Sequence, residues 1–183
     1  MTAPVVTRVA VDAPYGSEYT PDAEPAIGWI TESVTPGWVQ ARAELELRRP
    51  DGVHTLEFAG RDSARIAWPF APLSPREEVE LRVRVTGSDG AASEWSAPRR
   101  IVAGFLAEGE WTAATIGLAD PGAPARPFTA RREFDLDGEV RRAILYASAV
   151  GVYQAAINGR DVDDQVMKPG WTPYQLRTVH ETT

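Results

Sequence analysis

Three acidic residues follow a sharp turn near the C-terminal end of this sequence. The turn is Asn158-Gly159, and the acids are Asp161, Asp163 and Asp164. Carboxylate oxygens are ligands that calcium prefers, and they also accept hydrogen bonds from sugar hydroxyls. The alternative is a solvated turn, which the polar character of hairpin ends favours. Asn158 can likewise contact a sugar or serve the turn, and the turn already explains it.

Two aromatic residues follow these acids in the segment PGWTPY. Trp171 and Tyr174 carry flat rings on which a sugar can stack. The competing interpretation is that both rings pack a core and fix their loop, because large aromatic side chains most often bury their surface. Together with Asn158, Asp163 and Asp164, these rings form the candidate carbohydrate-binding set.

Other kinds of site find little support in the sequence. The chain has no cysteine, which excludes disulfides, thiol nucleophiles and cysteine-based zinc sites. His54 and His180 are far apart and have no third ligand at metal spacing. Glu77 and Glu78 are neighbours at the start of a strand, so their side chains point to opposite faces and cannot act as a catalytic pair. We therefore predict no catalytic residue and no cofactor, with calcium at the acidic turn as the open alternative.

Charge and hydropathy exclude several classes of partner. The net charge is −7, and no run of basic residues is present to contact a phosphate backbone, so we predict no nucleic-acid partner. The N-terminus lacks a basic stretch followed by a long apolar run, and no window approaches the roughly 18 apolar residues that a membrane span needs. We therefore predict a cytoplasmic chain that does not interact with a membrane.

The first 104 residues contain seven short segments typical of β-strands. Turn signals separate them at fairly even spacing, which is the pattern of an immunoglobulin-like sandwich. Residues 38–49 also have the composition of a helix, but their strict alternation and the Pro50-Asp51-Gly52 turn favour a strand. The predicted strands are 5–11, 26–31, 38–49, 54–58, 63–70, 79–85 and 93–102.

This first region resembles a fibronectin type III domain. The resemblance rests on Trp29 in the second strand, the corner at 73–79, the strand that follows it, and Trp95 in the segment SEWS. It departs at Val79, where the fold usually places a tyrosine whose hydroxyl ties down the corner. That hydrogen bond must be absent or replaced in this chain.

Residues 105–183 are predicted to be β-structure as well. Residues 128–136 alternate like a strand, and Asn158-Gly159 between two alternating runs is the strongest short-range signal of a β-hairpin. The tail, 175–183, has the pattern of a further strand. Four or five strands are about half of what a jelly-roll-like double sheet uses, so we predict a partial sandwich.

Several short motifs in this second region together resemble a known family. They are G-V-Y at 151–153, I-N-G at 157–159 and P-G-W-T-x-Y at 169–174, preceded by Trp111 and the segment 131–134. This combination is similar to the N-terminal β-sandwich domain of bacterial α-L-rhamnosidases. The resemblance implies hydrolysis of terminal α-L-rhamnose with inversion, by two carboxylates in a helical barrel much further along the chain.

The resemblance implies an all-β chain of two β-sandwich units, 1–104 and 105–183, that forms the non-catalytic N-terminal part of such an enzyme. Alone, the chain should be inactive. Its expected partners are the catalytic barrel of the same polypeptide and rhamnose-containing glycosides. The alternative is a free-standing carbohydrate-binding or adhesion module. If the second sandwich is incomplete, its exposed strand edges should promote self-association through residues 143–183.

Overall fold

The computed structural model describes residues 3–13, 16–118 and 126–183. Within these ranges the regular elements are all β-strands and no α-helix is present, which confirms the predicted all-β class. The same residues contain no helix long and apolar enough to span a bilayer. The chain divides into two compact units, Met1–Thr112 and Ala113–Thr183.

The first unit is built from two mainly antiparallel sheets of an immunoglobulin-like sandwich. Strands β1 and β3 pair with each other, and the second sheet has the order β2-β7-β6-β4-β5, in which only β2 and β7 run parallel. This arrangement agrees with the predicted sandwich. The strands are β1 (Val5–Val11), β2 (Tyr19–Thr20), β3 (Ile27–Glu32), β4 (Gln40–Arg49), β5 (Gly52–Ala59), β6 (Glu78–Gly87) and β7 (Arg99–Ala103).

The core of this unit follows from the alternation along β4 and β6. Leu45 and Leu47 of β4 pair with Val83 and Leu81 of β6, and all four side chains are fully buried. Burying a side chain of this size contributes about 1.5–3 kcal/mol. The strand interpretation of 38–49 is therefore confirmed, because a helix would not place alternate residues in one core.

The outer face of the same two strands carries charged pairs. Arg84 binds Glu44 and Arg82 binds Glu46, each across the β4–β6 ladder. The ring of Trp95 lies over both guanidinium groups, with centroid distances of 4.8 Å to Arg84 and 5.4 Å to Arg82. Trp95 therefore covers the charged face and is not part of the apolar core.

Two predicted strands of this unit are not regular strands. In 63–70 the ladder is limited to the Ile27–Ile66 bridge and the bond from the Trp29 amide to the Ser63 carbonyl, because Arg65 adopts a positive φ of 51° between them. In 93–98 the amides of Ser93 and Ser96 donate to the carbonyls of Val85 and Val83 in β6. The donors are three residues apart and the acceptors only two, so no regular ladder forms. The regular strand β7 begins only at Arg99.

A buried ion pair replaces the tyrosine hydrogen bond that the corner lacks. Arg49, at the end of β4, donates to both carboxylate oxygens of Glu77 at 2.7 and 2.8 Å. The same guanidinium donates to the carbonyls of Ala71 and Pro72, and Glu77 accepts from the Ser74 amide at 2.7 Å. One ion pair thus ties β4 to the segment that turns into β6.

The described part of the second unit contains four short strands in two ladders. They are β8 (Tyr146–Ser148), β9 (Ala156–Ile157), β10 (Arg160–Asp161) and β11 (His180–Thr182), paired as β8 with β11 and β9 with β10. The tail strand is confirmed over 180–182. The strand predicted over 128–136 is wrong, since these residues have no ladder partner in the described structure and are exposed. The predicted jelly-roll form of this unit stays a prediction.

Candidate functional site

The hairpin at Asn158-Gly159 forms as its sequence predicts. Both turn residues have positive φ, 51° for Asn158 and 76° for Gly159, as a type I′ turn requires. The turn joins β9 to β10, and the Val162 amide donates to the Ala155 carbonyl at 3.0 Å just beyond the ladder. The backbone role of Asn158 is therefore established, and the residue is exposed.

The three acids after the turn lie in different environments. Asp161 pairs with Ala156 in the hairpin and is exposed, as is Asp164. Asp163 is half-buried, and its carboxylate accepts hydrogen bonds from the Gln165 amide and the Thr183 hydroxyl at 3.0 and 2.9 Å. Among the described residues, no three acidic, histidine or cysteine side chains come close enough to hold a metal ion.

Lys168 is the principal partner of Asp163. Its ammonium group makes a salt bridge with the Asp163 carboxylate, and its side chain is only 6% exposed. The same ammonium group lies 5.3 Å from the centre of the Tyr153 ring. The hydrogen bond from Lys168 is the largest of the contacts that hold the pKa of Asp163 below its ordinary value. A cation already neutralises this carboxylate, so Asp163 has a structural partner that the sequence reasoning missed.

The sequence contains only an ambiguous indication that Lys168 pairs with Asp163. Lys168 is the only lysine among 19 basic residues of the chain. Guanidinium groups are less strongly hydrated and are the usual choice for buried ion pairs, so a lone lysine does not by itself predict one. The Tyr153 amide also donates to the Lys168 carbonyl at 2.9 Å, so the segment bearing Tyr153 and the loop bearing Lys168 are joined twice.

Trp171 and Tyr174 have contrasting environments. Tyr174 is half-buried, and its hydroxyl accepts a hydrogen bond from the Gly151 amide at 3.0 Å, so it fixes the loop as the packing interpretation expects. Trp171 is 81% exposed and does not pack into a core. The adjacent Thr172 hydroxyl donates to the Arg177 carbonyl at 2.9 Å, which closes the turn that presents the ring.

This exposed ring is the feature of the second unit best suited to contact a ligand. An indole that is largely exposed can stack on a sugar or pack against an apolar surface. Large apolar side chains of nearby sequence are exposed as well, namely Val150, Val152, Val166, Met167 and Leu176. The candidate site is thus an aromatic surface with few polar groups left to bind a ligand, because Asp163, Thr172 and Tyr174 already make internal hydrogen bonds.

No catalytic pair of carboxylates emerges from the acids that the sequence singled out. Glu77 is bound by Arg49 and Glu78 by Arg100, so the two neighbours have separate cationic partners. Asp163 is bound by Lys168. A general acid needs a raised pKa, whereas the pKa values of Glu77 and Asp163 both lie below their ordinary values.

Two family models match this chain in succession. Residues 14–107 match the model described as the Rha78A-like, N-terminal immunoglobulin domain, which is more than half of the chain. The chain belongs to this family. Residues 138–183 match the model of the α-L-rhamnosidase N-terminal domain, which contains the hairpin, Lys168 and Trp171. The immunoglobulin-like first unit and the resemblance of the second are both confirmed.

Relatives with a similar sequence are named α-L-rhamnosidases. One from Formosa agariphila is 32% identical over 173 residues, which covers 85% of this chain and 19% of that protein. Another from an Alteromonas species is 30% identical over 148 residues and covers 76% of this chain and 16% of that protein. The chain therefore spans less than a fifth of the length of these curated relatives.

Solved structures show the same fold. The native α-L-rhamnosidase of Aspergillus terreus is 29% identical, with a TM-score of 0.82, over 98% of this chain and 22% of that one. The Streptomyces avermitilis α-L-rhamnosidase, complexed with L-rhamnose, is 28% identical, with a TM-score of 0.53, over 61% of this chain and 12% of that one. In both, the matched part is a small fraction of the solved chain.

Proposed function

We propose that this chain is the non-catalytic N-terminal region of an α-L-rhamnosidase, and that its two units support a catalytic barrel located further along the same polypeptide. The observation that carries the proposal is the order of the two family matches, an immunoglobulin domain at 14–107 and a rhamnosidase N-terminal domain at 138–183. Relatives with this name extend far beyond the matched region.

The chemistry of the described residues supports a role without catalysis. Inverting glycosidases use one carboxylic acid with a raised pKa and one carboxylate, separated by enough space for a water molecule. The acids Glu46, Glu77, Glu110 and Asp163 all have pKa values below their ordinary values, so they are anions at neutral pH. Paired anions of this kind stabilise a scaffold.

A cytoplasmic location stays a prediction of the sequence.

The test compares this chain with a longer polypeptide that contains it. An aryl α-L-rhamnoside is the substrate, and product is followed by absorbance and by NMR of the released sugar. We expect no turnover by the 183-residue chain and release of the inverted anomer by the longer polypeptide. A longer polypeptide that folds but leaves the rhamnoside intact would contradict the proposal.

A second candidate function is carbohydrate binding by the second unit. The observation that favours it is the 81% exposure of Trp171, presented by a closed turn. In this interpretation the ring stacks on the apolar face of a rhamnose-containing glycoside, and Asn158 and Asp164, close to it in sequence, offer polar groups.

Calorimetric titration with L-rhamnose and rhamnosides tests this second function. Trp171→Ala should abolish the heat of binding, whereas Trp171→Phe should retain part of it because an aromatic face remains. Absence of heat at millimolar sugar, or binding that survives Trp171→Ala, would reject the stacking role. The titration is repeated with calcium and with a chelator to separate a metal effect from stacking.

A further inference from the structure

In the described part of the first unit, strand β5 is a long and regular edge of the five-stranded sheet. Proteins guard sheet edges with short strands, bulges, covering loops, lysine or proline. Strand β2 has two residues, β1 has a register shift between Val6 and Arg8, and β3 bonds the loop at Ser63 and Ile66. β5 has eight residues, no register shift against β4, and neither lysine nor proline.

The outward backbone groups of β5 follow from its register. The amide of Gly60, just after β5, donates to the carbonyl of Ala41 in β4. Because hydrogen-bonded pairs alternate along an antiparallel ladder, the even-numbered residues of β5 form the hydrogen bonds to β4. The amides and carbonyls of Val53, Thr55, Glu57 and Ala59 therefore point away from the sheet. Among the described residues no strand lies beside them, because β5 is the last strand in its sheet.

We propose that β5 pairs antiparallel with β5 of a second copy of this chain, centred on Leu56. This register places Thr55 opposite the second copy's Glu57 and Val53 opposite its Ala59. All four outward residues then exchange both of their backbone hydrogen bonds. The two five-stranded sheets become one continuous sheet, which is the recognition mode of strand addition.

The side chains favour the register centred on Leu56 over the one centred on Glu57. Centring the pair on Glu57 would place two carboxylates directly opposite each other, which is unfavourable. Centring it on Leu56 joins two leucines that lie on the core face beside Leu45, and each is 37% exposed at the sheet edge. It also brings Asp51, just before the strand, toward the second copy's Arg61, just after it. These opposite charges would lie toward each other at both ends, where Asp51 also contacts His54 of its own chain at 3.1 Å.

Disulfide cross-linking tests the register, since the native chain has no cysteine. At the centre of the pair, the two residues at position 56 face each other in a non-hydrogen-bonded site, where Cα atoms are about 4.5 Å apart and a disulfide can form. We expect Leu56→Cys to give a covalent dimer under mild oxidation. Val53→Cys is the matched control, since its symmetry mate is about 20 Å away.

Sedimentation equilibrium tests the association itself. The native chain should reach the mass of a dimer, and Thr55→Pro should remain a monomer with native circular dichroism, because the Thr55 amide points outward and proline removes only that donor. Thr55→Ala should still dimerise. A native chain that stays monomeric, association that survives Thr55→Pro, or equal cross-linking at positions 53 and 56 would each overturn the proposal. These readouts do not depend on rhamnosidase activity.

Discussion

Arg49 and Glu77 are 28 positions apart in sequence and form a bidentate ion pair that locks the corner before β6. Each side chain is only 10% exposed. The pair replaces the hydrogen bond of the tyrosine that the fold usually places at position 79. Arg49 donates to the carbonyls of Ala71 and Pro72, and Glu77 accepts from the amide of Ser74.

Removing one partner of this pair should strongly destabilise the first unit. Arg49→Leu leaves the Glu77 carboxylate buried without a counterion, which costs about 3 kcal/mol in the free energy of unfolding. The double variant Arg49→Leu with Glu77→Leu should recover part of this loss, because no charge is left unpaired. Urea unfolding of the two single variants and the double variant measures the coupling energy.

The exposed pair of Arg42 and Glu57 is the matched control for this cycle. The Arg42 Nη1 and Glu57 Oε1 atoms are 3.8 Å apart, and both side chains are about half exposed. Arg42→Leu should change the free energy of unfolding by less than about 1 kcal/mol. Equal losses for Arg42→Leu and Arg49→Leu would mean that the corner pair has no special role.

The corner should also make stability depend on pH in the acidic range. Burial alone raises the pKa of the Glu77 carboxyl, but hydrogen bonds from Arg49 and the Ser74 amide outweigh it, so the pKa in the folded state lies below its ordinary value. The stabilisation is therefore fully present above the pKa of the unfolded state, about 4.3. It is lost as the pH falls through the lower pKa of the folded state.

Glu77→Gln isolates this contribution from those of the other acids. The native chain should exceed the variant in free energy of unfolding by a constant amount above about pH 5, and the difference should shrink below that. Urea unfolding at a series of pH values gives the two curves. Parallel curves down to about pH 3 would show that Glu77 does not titrate with unfolding.

Local patterns predicted the parts of the fold that depend on near neighbours. Alternation over 38–49 and 79–85 succeeded because a half-buried strand in a sandwich must alternate, and both sides of the β4–β6 ladder do so. Asn158-Gly159 succeeded because a type I′ turn needs two positive φ angles. Each of these signals lies within about ten residues.

The features that the sequence did not predict depend on distant partners or on loop conformation. Residues 128–136 alternate but form no strand, since a ladder needs a second strand and none is paired with them in the described structure. Trp171 has the size of a core residue, yet it is exposed, because burial requires a surface to cover it. The pair Arg49–Glu77 joins residues 28 positions apart, and the pair Lys168–Asp163, five positions apart, depends on the conformation of the intervening loop.

Gly28 should be needed because β3 and its neighbouring loop approach closely. A Cβ atom at this position would lie 2.9 Å from the Ser63 carbonyl oxygen, which accepts the Trp29 amide, and 3.4 Å from the Ala64 Cα atom. Gly28→Ala should therefore cost about 1–3 kcal/mol through displaced backbone. Gly104→Ala is the control, because its Cβ would meet the Thr20 carbonyl at an ordinary 3.5 Å. Thermal unfolding of both variants makes the comparison, and equal melting temperatures would refute the close-approach argument.

Calcium should leave the stability of the second unit unchanged. The Asp163 carboxylate already binds the Lys168 ammonium group, the Gln165 amide and the Thr183 hydroxyl, so a calcium ion would have to displace a buried cation. We expect the same melting temperature with millimolar calcium and with a chelator, whereas Asp163→Asn should lower it because Lys168 loses its counterion. Lys168→Met removes the competing cation and so tests whether Lys168 is what prevents calcium from binding at Asp163. A calcium-dependent rise in melting temperature for the native chain would show that the acidic turn binds the metal after all.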